Sequence, residues 1–320
     1  MNPKLLQPTK ENIFKSAQNL MSGRLVAFPT ETVYGLGASA TIEGGINRIY
    51  EVKGRPKNHP LIVHISDISK LDIWAREIPD FVFALANAYW PGPMTLILKR
   101  SDLAKDFVTG KQDTIGLRIP NNKIALTLLT EFENMGGVGI AAPSANRFGA
   151  VSPTSAVHVL EDLGDHLGDN DIVLDGGDSE IGIESTIIDC ISLNPKILRP
   201  GAITYDEIYS IVKINEQKLE PQNDIKFSGS FDSHYRPRAK VFLNVEPIPG
   251  DGYIAMNEIA TPKDTVRLFS PKNIDEFASG LYASLREGDA LKLSRIVVIT
   301  PTDIGIGIAI NDRLKKASGE

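Results

Sequence analysis

The residues best suited to chemistry come in short polar groups, each set directly after an apolar run. Thr30, Glu31, Thr32 and Tyr34 follow Leu25-Val26-Ala27, with Pro29 ending the run and Gly35 and Gly37 close behind. Hydroxyls and a carboxylate at a strand end, backed by glycines that admit another backbone, suit a ligand site; a glycine-rich turn reads the same way. Lys53 and Arg55 form a second group beside Pro56. Cations in such a loop suit phosphate or carboxylate oxygens, or simply solvent. His64 lies inside the run Leu61-Ile62-Val63-His64-Ile65, where it is either a ligand or a satisfied core residue. Arg118 nearly closes the alternating run that starts at Thr114. A buried guanidinium needs an anion, either a structural carboxylate or a substrate.

Ser144 and Asn146 flank Ala145, and Ser185, Thr186 and Arg199 repeat the theme further on. Hydroxyl, amide and guanidinium groups suit a ribose or a phosphate, although a plain turn accounts for the first pair equally well. The sequence holds no GxxxxGK[ST] loop, no GxGxxG after a strand, no HExxH and no nucleophile elbow. Gly136-Gly137-Val138-Gly139 precedes a strand instead of opening a helix, so it is no dinucleotide fingerprint. A nucleotide would need an unusual cradle here. No residue stands out as a covalent nucleophile, which leaves positioning and charge stabilisation to do the work.

These groups need elements to hold them. Helices are expected over residues 11–21 with Gly23 as the cap, 81–90 and 123–132, and from a cap at Thr154 through residue 163. A short helix around Ile46, Ile49 and Tyr50 leads into the Lys53 loop. Strands are expected at 61–65, 94–98, 114–120, 138–142, 172–175 and 186–189, and Thr204 with Glu207 forms a capping box. Strands alternating with helices indicate α/β architecture: a large twisted mixed sheet flanked by helices. Residues 214–233 are polar and read as a linker. Beyond it, strands at 240–245, 253–256, 266–269 and 295–299, with a helix carrying Ile274, Phe277, Leu281 and Leu285 on one face, give a smaller Rossmann-like α/β unit. The expected division is 1–213, a linker at 214–238 that closes as a lid, and 239–320.

Composition sets the outer bounds. Hydrophobic residues make up 42% and charged residues 23% of the chain, as in an ordinary globular protein. The formal charge of −6 is spread along the sequence, so phosphate neutralisation gives no reason to expect a nucleic-acid binder. The single cysteine, Cys190, excludes a disulfide framework. With no signal-peptide core and no apolar run of spanning length, a cytoplasmic protein without a membrane contact is expected.

Taken together and in order, the motifs resemble a known family. Residues 28–37, Lys53-Gly54-Arg55, Pro60 to His64, Trp90-Pro91-Gly92-Pro93-Met94-Thr95, Ala141 to Asn146, Glu184-Ser185-Thr186-Ile187 and Leu198-Arg199-Pro200-Gly201 are similar to those of the YrdC-like family in its longer, two-domain form. The tail from Gly305 to Leu314 also looks like the end of that form. The resemblance covers nearly the whole chain.

It implies synthesis of threonylcarbamoyl-adenylate and pyrophosphate from L-threonine, bicarbonate and ATP, with Mg²⁺ accompanying ATP. A separate transferase then moves the threonylcarbamoyl group to adenosine in tRNA, which this chain would touch weakly or indirectly. By resemblance, Thr32, His64, Arg118, the backbone at Ala142, and Ser185 surround threonine. Arg55, His59, Thr114, Ser144, Asn146, Ser152, Arg199 and Tyr235 hold ATP, and Lys53 and Arg55 are the catalytic cations. No protein-held metal is implied. His59 stands where relatives often carry asparagine. In the linker, His234-Tyr235 and Pro237 keep the family pattern, whereas the preceding methionine and basic residue are absent. Replacing Tyr235 is expected to weaken ATP binding with little effect on thermal stability; the other reading of Tyr235 is a residue that docks the linker onto the second domain. Two other readings share some features: a carbamoyl-adenylating domain of hydrogenase maturation, normally within a longer cysteine-rich chain, and a non-catalytic RNA-binding or ribosome-assembly protein.

Overall fold

Apolar runs become strands where both of their faces find a core, and this chain does so twice. The computed structural model describes residues 3–212, 225–227, 229 and 235–319. Its first part begins with β1 (Lys4–Leu6), α1 (Lys10–Met21), β2 (Val26–Phe28), β3 (Gly35–Ser39), α2 (Glu43–Lys53) and β4 (Ile62–His64). Two helices, α3 (Leu71–Trp74) and α4 (Asp80–Tyr89), lead to β5 (Met94–Lys99); α5 (Asp106–Thr109), β6 (Thr114–Arg118), α6 (Lys123–Asn134) and β7 (Ile140–Ala141) follow. The part ends with α7 (Ala156–Leu163), β8 (Ile172–Leu174), β9 (Thr186–Asp189), β10 (Lys196–Arg199) and α8 (Tyr205–Val212). These strands form one ten-stranded mixed sheet in the order β1-β8-β2-β3-β7-β4-β6-β5-β9-β10.

The second part holds β11 (Lys240–Leu243), β12 (Gly252–Ile254), β13 (Val266–Phe269), α9 (Ile274–Ala290), β14 (Arg295–Val298) and α10 (Ile306–Ser318). The strands pair in the order β11-β14-β12-β13, all parallel. Such a sheet is buried on both faces, as the near-continuous apolar strands require. Among the described residues no helix is long and apolar enough to cross a membrane.

Side-chain alternation explains where the site lies. Leu61, Val63 and Ile65 join the main core together with Leu117 and Leu96. Their alternates Ile62 and His64 therefore face the other side of the sheet, as does Arg118, the register partner of His64. On that side α1 and α6 pack Ile13, Ala17, Leu20, Leu128 and Phe132 over Val26, Phe28 and Ile140.

Several local expectations are met, and a few are not. The Thr204–Glu207 capping box forms, with Thr204 N–H donating to Glu207 Oε2 at 2.8 Å and Glu207 N–H to Thr204 Oγ1 at 3.4 Å. The cap of α7 is Ser155, which accepts from His158 N–H, and Thr154 lies outside it. Residues 35–39 form a strand where only a strand end and turn were expected. Two glycines in those five residues weaken the strand signal, yet they are what close packing demands: a Cβ on Gly37 would come within 2.8 Å of Ile140 Cγ2 and of the Phe28 ring. The linker reading falls almost entirely outside the described residues; Lys226, which is described, exchanges hydrogen bonds with the side-chain amide of Gln112.

Candidate active site

A cavity opens on the sheet face that His64 and Arg118 share. Its walls include Thr30, Thr32, Arg55, Ile62, His64, Arg118, Ala142, Ser144, Glu184, Ser185, Arg199, Gly229 and Tyr235. Thr30 builds the β2–β3 turn that forms one wall: its hydroxyl accepts from the N–H groups of Thr32 and Val33 and donates to Val33 C=O at 2.6 Å. A bridge between Gly35 and Ser144 fastens the loop after β7 to the start of β3.

The cavity is strongly cationic. Arg118 lies with Nη2 2.7 Å from Glu31 Oε1, and both side chains are buried. Beside it the His64 ring is desolvated and faces that guanidinium, which pushes its pKa down to about 3 and keeps it neutral. Arg55 donates to Pro60 C=O at 3.0 Å, and burial lowers its pKa to about 10. Arg199 grips Ser185 C=O through Nε at 3.1 Å and Nη2 at 2.9 Å. The Ser185 hydroxyl meets Thr95 Oγ1 at 2.8 Å. Among the described residues Glu184 is the one acidic residue of the wall, and burial alone would raise its pKa. Arg313, Arg199 and the Ser152 hydroxyl overcome that and bring it to about 2.

Of the expected site residues, Thr32, His64, Arg118, Ala142, Ser185, Arg55, Ser144, Arg199 and Tyr235 line this one cavity. Lys53, His59, Thr114, Asn146 and Ser152 do not. Lys53 does not stand beside Arg55 as a second cavity cation. Its ammonium is buried and donates to the carbonyls of Ser144 (2.6 Å) and Asn146, so it clamps the loop that presents Ser144. Asn146 serves the same loop: its amide donates to Arg147 C=O and Ala150 C=O, both at 2.8 Å, while Oδ1 accepts from Ser144 Oγ. Thr114 sits at the far end of β6 from Arg118, opposite Lys99. The His59 ring packs edge-on against Phe148, and Ser152 donates to Glu184 at 2.6 Å.

A family model named Sua5/YciO/YrdC, described as "Telomere recombination", matches residues 18–201. The chain belongs to the Sua5/YciO/YrdC family. A second model, described as "Threonylcarbamoyl-AMP synthase, C-terminal domain", matches residues 203–319. The chain is similar to the threonylcarbamoyl-AMP synthase of Pyrococcus abyssi, with 37% identity over 94% of this chain and 92% of that one. Identity to the enzyme of the same name from Bacillus subtilis is also 37%, over 98% of this chain and 95% of that one. The crystal structure of P. abyssi Sua5 complexed with L-threonine superposes with a TM-score of 0.88 at 36% identity, covering 99% of this chain and 97% of that one.

Some cavity residues of this family member escape sequence reasoning. Glu184 is visible only as the neighbour of Ser185, and nothing in the sequence ties it to Arg313, 129 positions away. Gly229 enters the wall with φ of +88°; a Cβ there would stand 2.6 Å from Tyr235 Oη.

Proposed function

We propose that the chain is an L-threonylcarbamoyl-AMP synthase, which joins L-threonine, bicarbonate and ATP into threonylcarbamoyl-AMP and releases pyrophosphate. One observation carries the reading: a neutral histidine and the guanidiniums of Arg118, Arg55 and Arg199 share one buried cavity with serine and threonine hydroxyls. That set fits an amino-acid carboxylate at one end and phosphate oxygens at the other. Full-length similarity to two enzymes of that name supports the same activity.

In this reading Arg118 orients the threonine carboxylate, with Thr32, His64, Ala142 and Ser185 around the rest of the amino acid. Neutral His64 adds no second positive charge next to the amine, which must lose a proton before its nitrogen bonds to the bicarbonate carbon; a C–O bond of bicarbonate breaks, water leaves and the carbamate remains. The carbamate oxygen attacks the α-phosphorus, the bond to the β-phosphate oxygen breaks, and pyrophosphate leaves. Arg55 and Arg199 offset the charge that builds on it. Lys53, Asn146 and Ser152 contribute by holding the walls.

Mg²⁺ would arrive with ATP and neutralise phosphate charge. The wall's carboxylate Glu184 is already engaged by Ser152, Tyr282 and Arg313, so the triphosphate is the natural holder of the ion. The product suits a separate tRNA transferase in the cytoplasm, and the net charge of −6 fits a chain that does not itself hold tRNA tightly.

The experiment is pyrophosphate release from Mg-ATP by the purified chain. Release is expected only when L-threonine and bicarbonate are both present. Equal turnover with either omitted would overturn the assignment.

A further inference from the structure

An acidic residue in the wall of a nucleotide cavity poses a problem, because its charge repels a triphosphate. Glu184 lines the cavity and is buried. Its Oε1 accepts from Ser152 Oγ at 2.6 Å; its Oε2 accepts from Tyr282 Oη and from Arg313 Nε, both at 2.9 Å. Tyr282 lies on α9 and Arg313 on α10, so both partners of Oε2 come from the second domain. Arg313 is fully buried, does not line the cavity, and is held on its other side by Asp312 at 2.5 Å. Its guanidinium also stands 5.4 Å from the centre of the Tyr235 ring, which stacks on Tyr282 at 5.7 Å.

A buried ion pair is a poor way to join two domains, since apolar residues of the same volume do so as well or better. The position of this pair gives it another use. Glu184 precedes Ser185, whose carbonyl Arg199 grips, and its other oxygen holds Ser152. Fixing that one carboxylate therefore fixes a stretch of wall with a cation on either side.

We propose that Arg313 is a positioning residue for the nucleotide end of the cavity: it cancels the charge of Glu184 in the wall and, with Tyr282, holds Ser152 and the Ser185 carbonyl that Arg199 grips, while the Ser185 hydroxyl is held separately by Thr95. The second domain thus completes the electrostatics of a site built on the first. This rests on the reading of the cavity as the ATP and threonine site.

Calorimetric titration of the full chain with Mg-ATP, and separately with L-threonine, tests it. Arg313→Met is expected to raise the ATP Kd at least about tenfold, because Glu184 keeps its charge with its main partner gone, while the threonine Kd moves less than about twofold. In the Arg313→Met/Glu184→Gln double variant both charges are gone, and the ATP Kd should return to within about threefold of wild type. Tyr282→Phe removes one hydroxyl and keeps the stacking; it should raise the ATP Kd at least about threefold and leave the threonine Kd in place. This arm decides the matter should Arg313→Met fail to fold. Wild-type ATP affinity in Arg313→Met, or in Tyr282→Phe, or a double variant no better than Arg313→Met, overturns the proposal. These outcomes are separate from the fate of the enzymatic reading, which falls on threonine-independent turnover by the wild-type chain and not on ATP affinity.

Discussion

Arg118 and Glu31 are an ion pair with spare capacity. Nη2 of Arg118 is 2.7 Å from Oε1 of Glu31, yet among the described residues neither Glu31 oxygen makes a well-aligned hydrogen bond, and Nε and Nη2 of Arg118 likewise make none. Arg118 lines the cavity; Glu31 stands behind it. The sequence leaves two anions open for this guanidinium, a structural carboxylate or a substrate. The structure supplies the first, and among the described residues Nε of Arg118 makes no hydrogen bond.

The two roles separate in a variant pair. Arg118→Met strands a buried carboxylate, which costs about 3–5 kcal/mol of stability. It should also weaken threonine binding by at least about 2 kcal/mol. Arg118→Met/Glu31→Gln should recover most of the stability, measured by chemical denaturation, without recovering threonine affinity, measured by calorimetry. Threonine binding at wild-type strength in the double variant would reduce Arg118 to a structural cation.

His64 makes stability depend on pH. Its folded pKa of about 3 lies below the ordinary 6.5 because the ring is desolvated and faces Arg118. The unfolded chain therefore takes up a proton below pH 6.5 that the folded chain refuses. The contribution is whole above that pH and drains as pH falls toward 3. Between pH 7 and pH 5 this one ring should account for about 2 kcal/mol of lost stability. Denaturant titrations at both pH values should show the difference shrink by that amount in His64→Gln. An equal pH dependence in the variant would mean that the ring already titrates normally.

What the sequence made legible was local. Strand ends were marked by polar residues after apolar runs, so Thr32, His64, Arg118, Ser144, Ser185 and Arg199 could be named, and all six line the cavity. What stayed hidden depends on distance along the chain or on backbone direction. Lys53 and Arg55 read alike as loop cations, but Lys53 is the last residue of α2 and finds carbonyls of the 144–146 loop, whereas Arg55 follows the αL cap Gly54 and points into the cavity wall. A strand with glycines at 35 and 37 looks like a turn until Phe28 and Ile140 are seen against it. The Glu184–Arg313 pair joins two domains, and no spacing rule predicts that.

Tyr235 has a different balance of roles from the one its linker context suggests. The sequence points to a contact made over bound nucleotide, replaceable with little loss of stability. In the structure its ring is buried, stacks on Tyr282 and packs in one core with Val33, Ile183 and Phe277, so it belongs to the core shared by the two domains as well as to the cavity wall. Removing a buried aromatic ring leaves a cavity worth about 3–5 kcal/mol. Tyr235→Ala should therefore lower the melting temperature by at least about 6 °C, and its loss of ATP binding would mix two effects. Tyr235→Phe separates them, because it keeps the ring and removes only the hydroxyl that lies against Gly229. Its melting temperature should stay within about 3 °C of wild type. A hydroxyl that reaches the nucleotide should show itself as a rise of about tenfold in the ATP Kd. If Tyr235→Phe binds ATP like wild type while Tyr235→Ala is strongly destabilised, the residue serves the wall by packing alone. If Tyr235→Ala melts like wild type, the stacked core described here does not carry the linker's end.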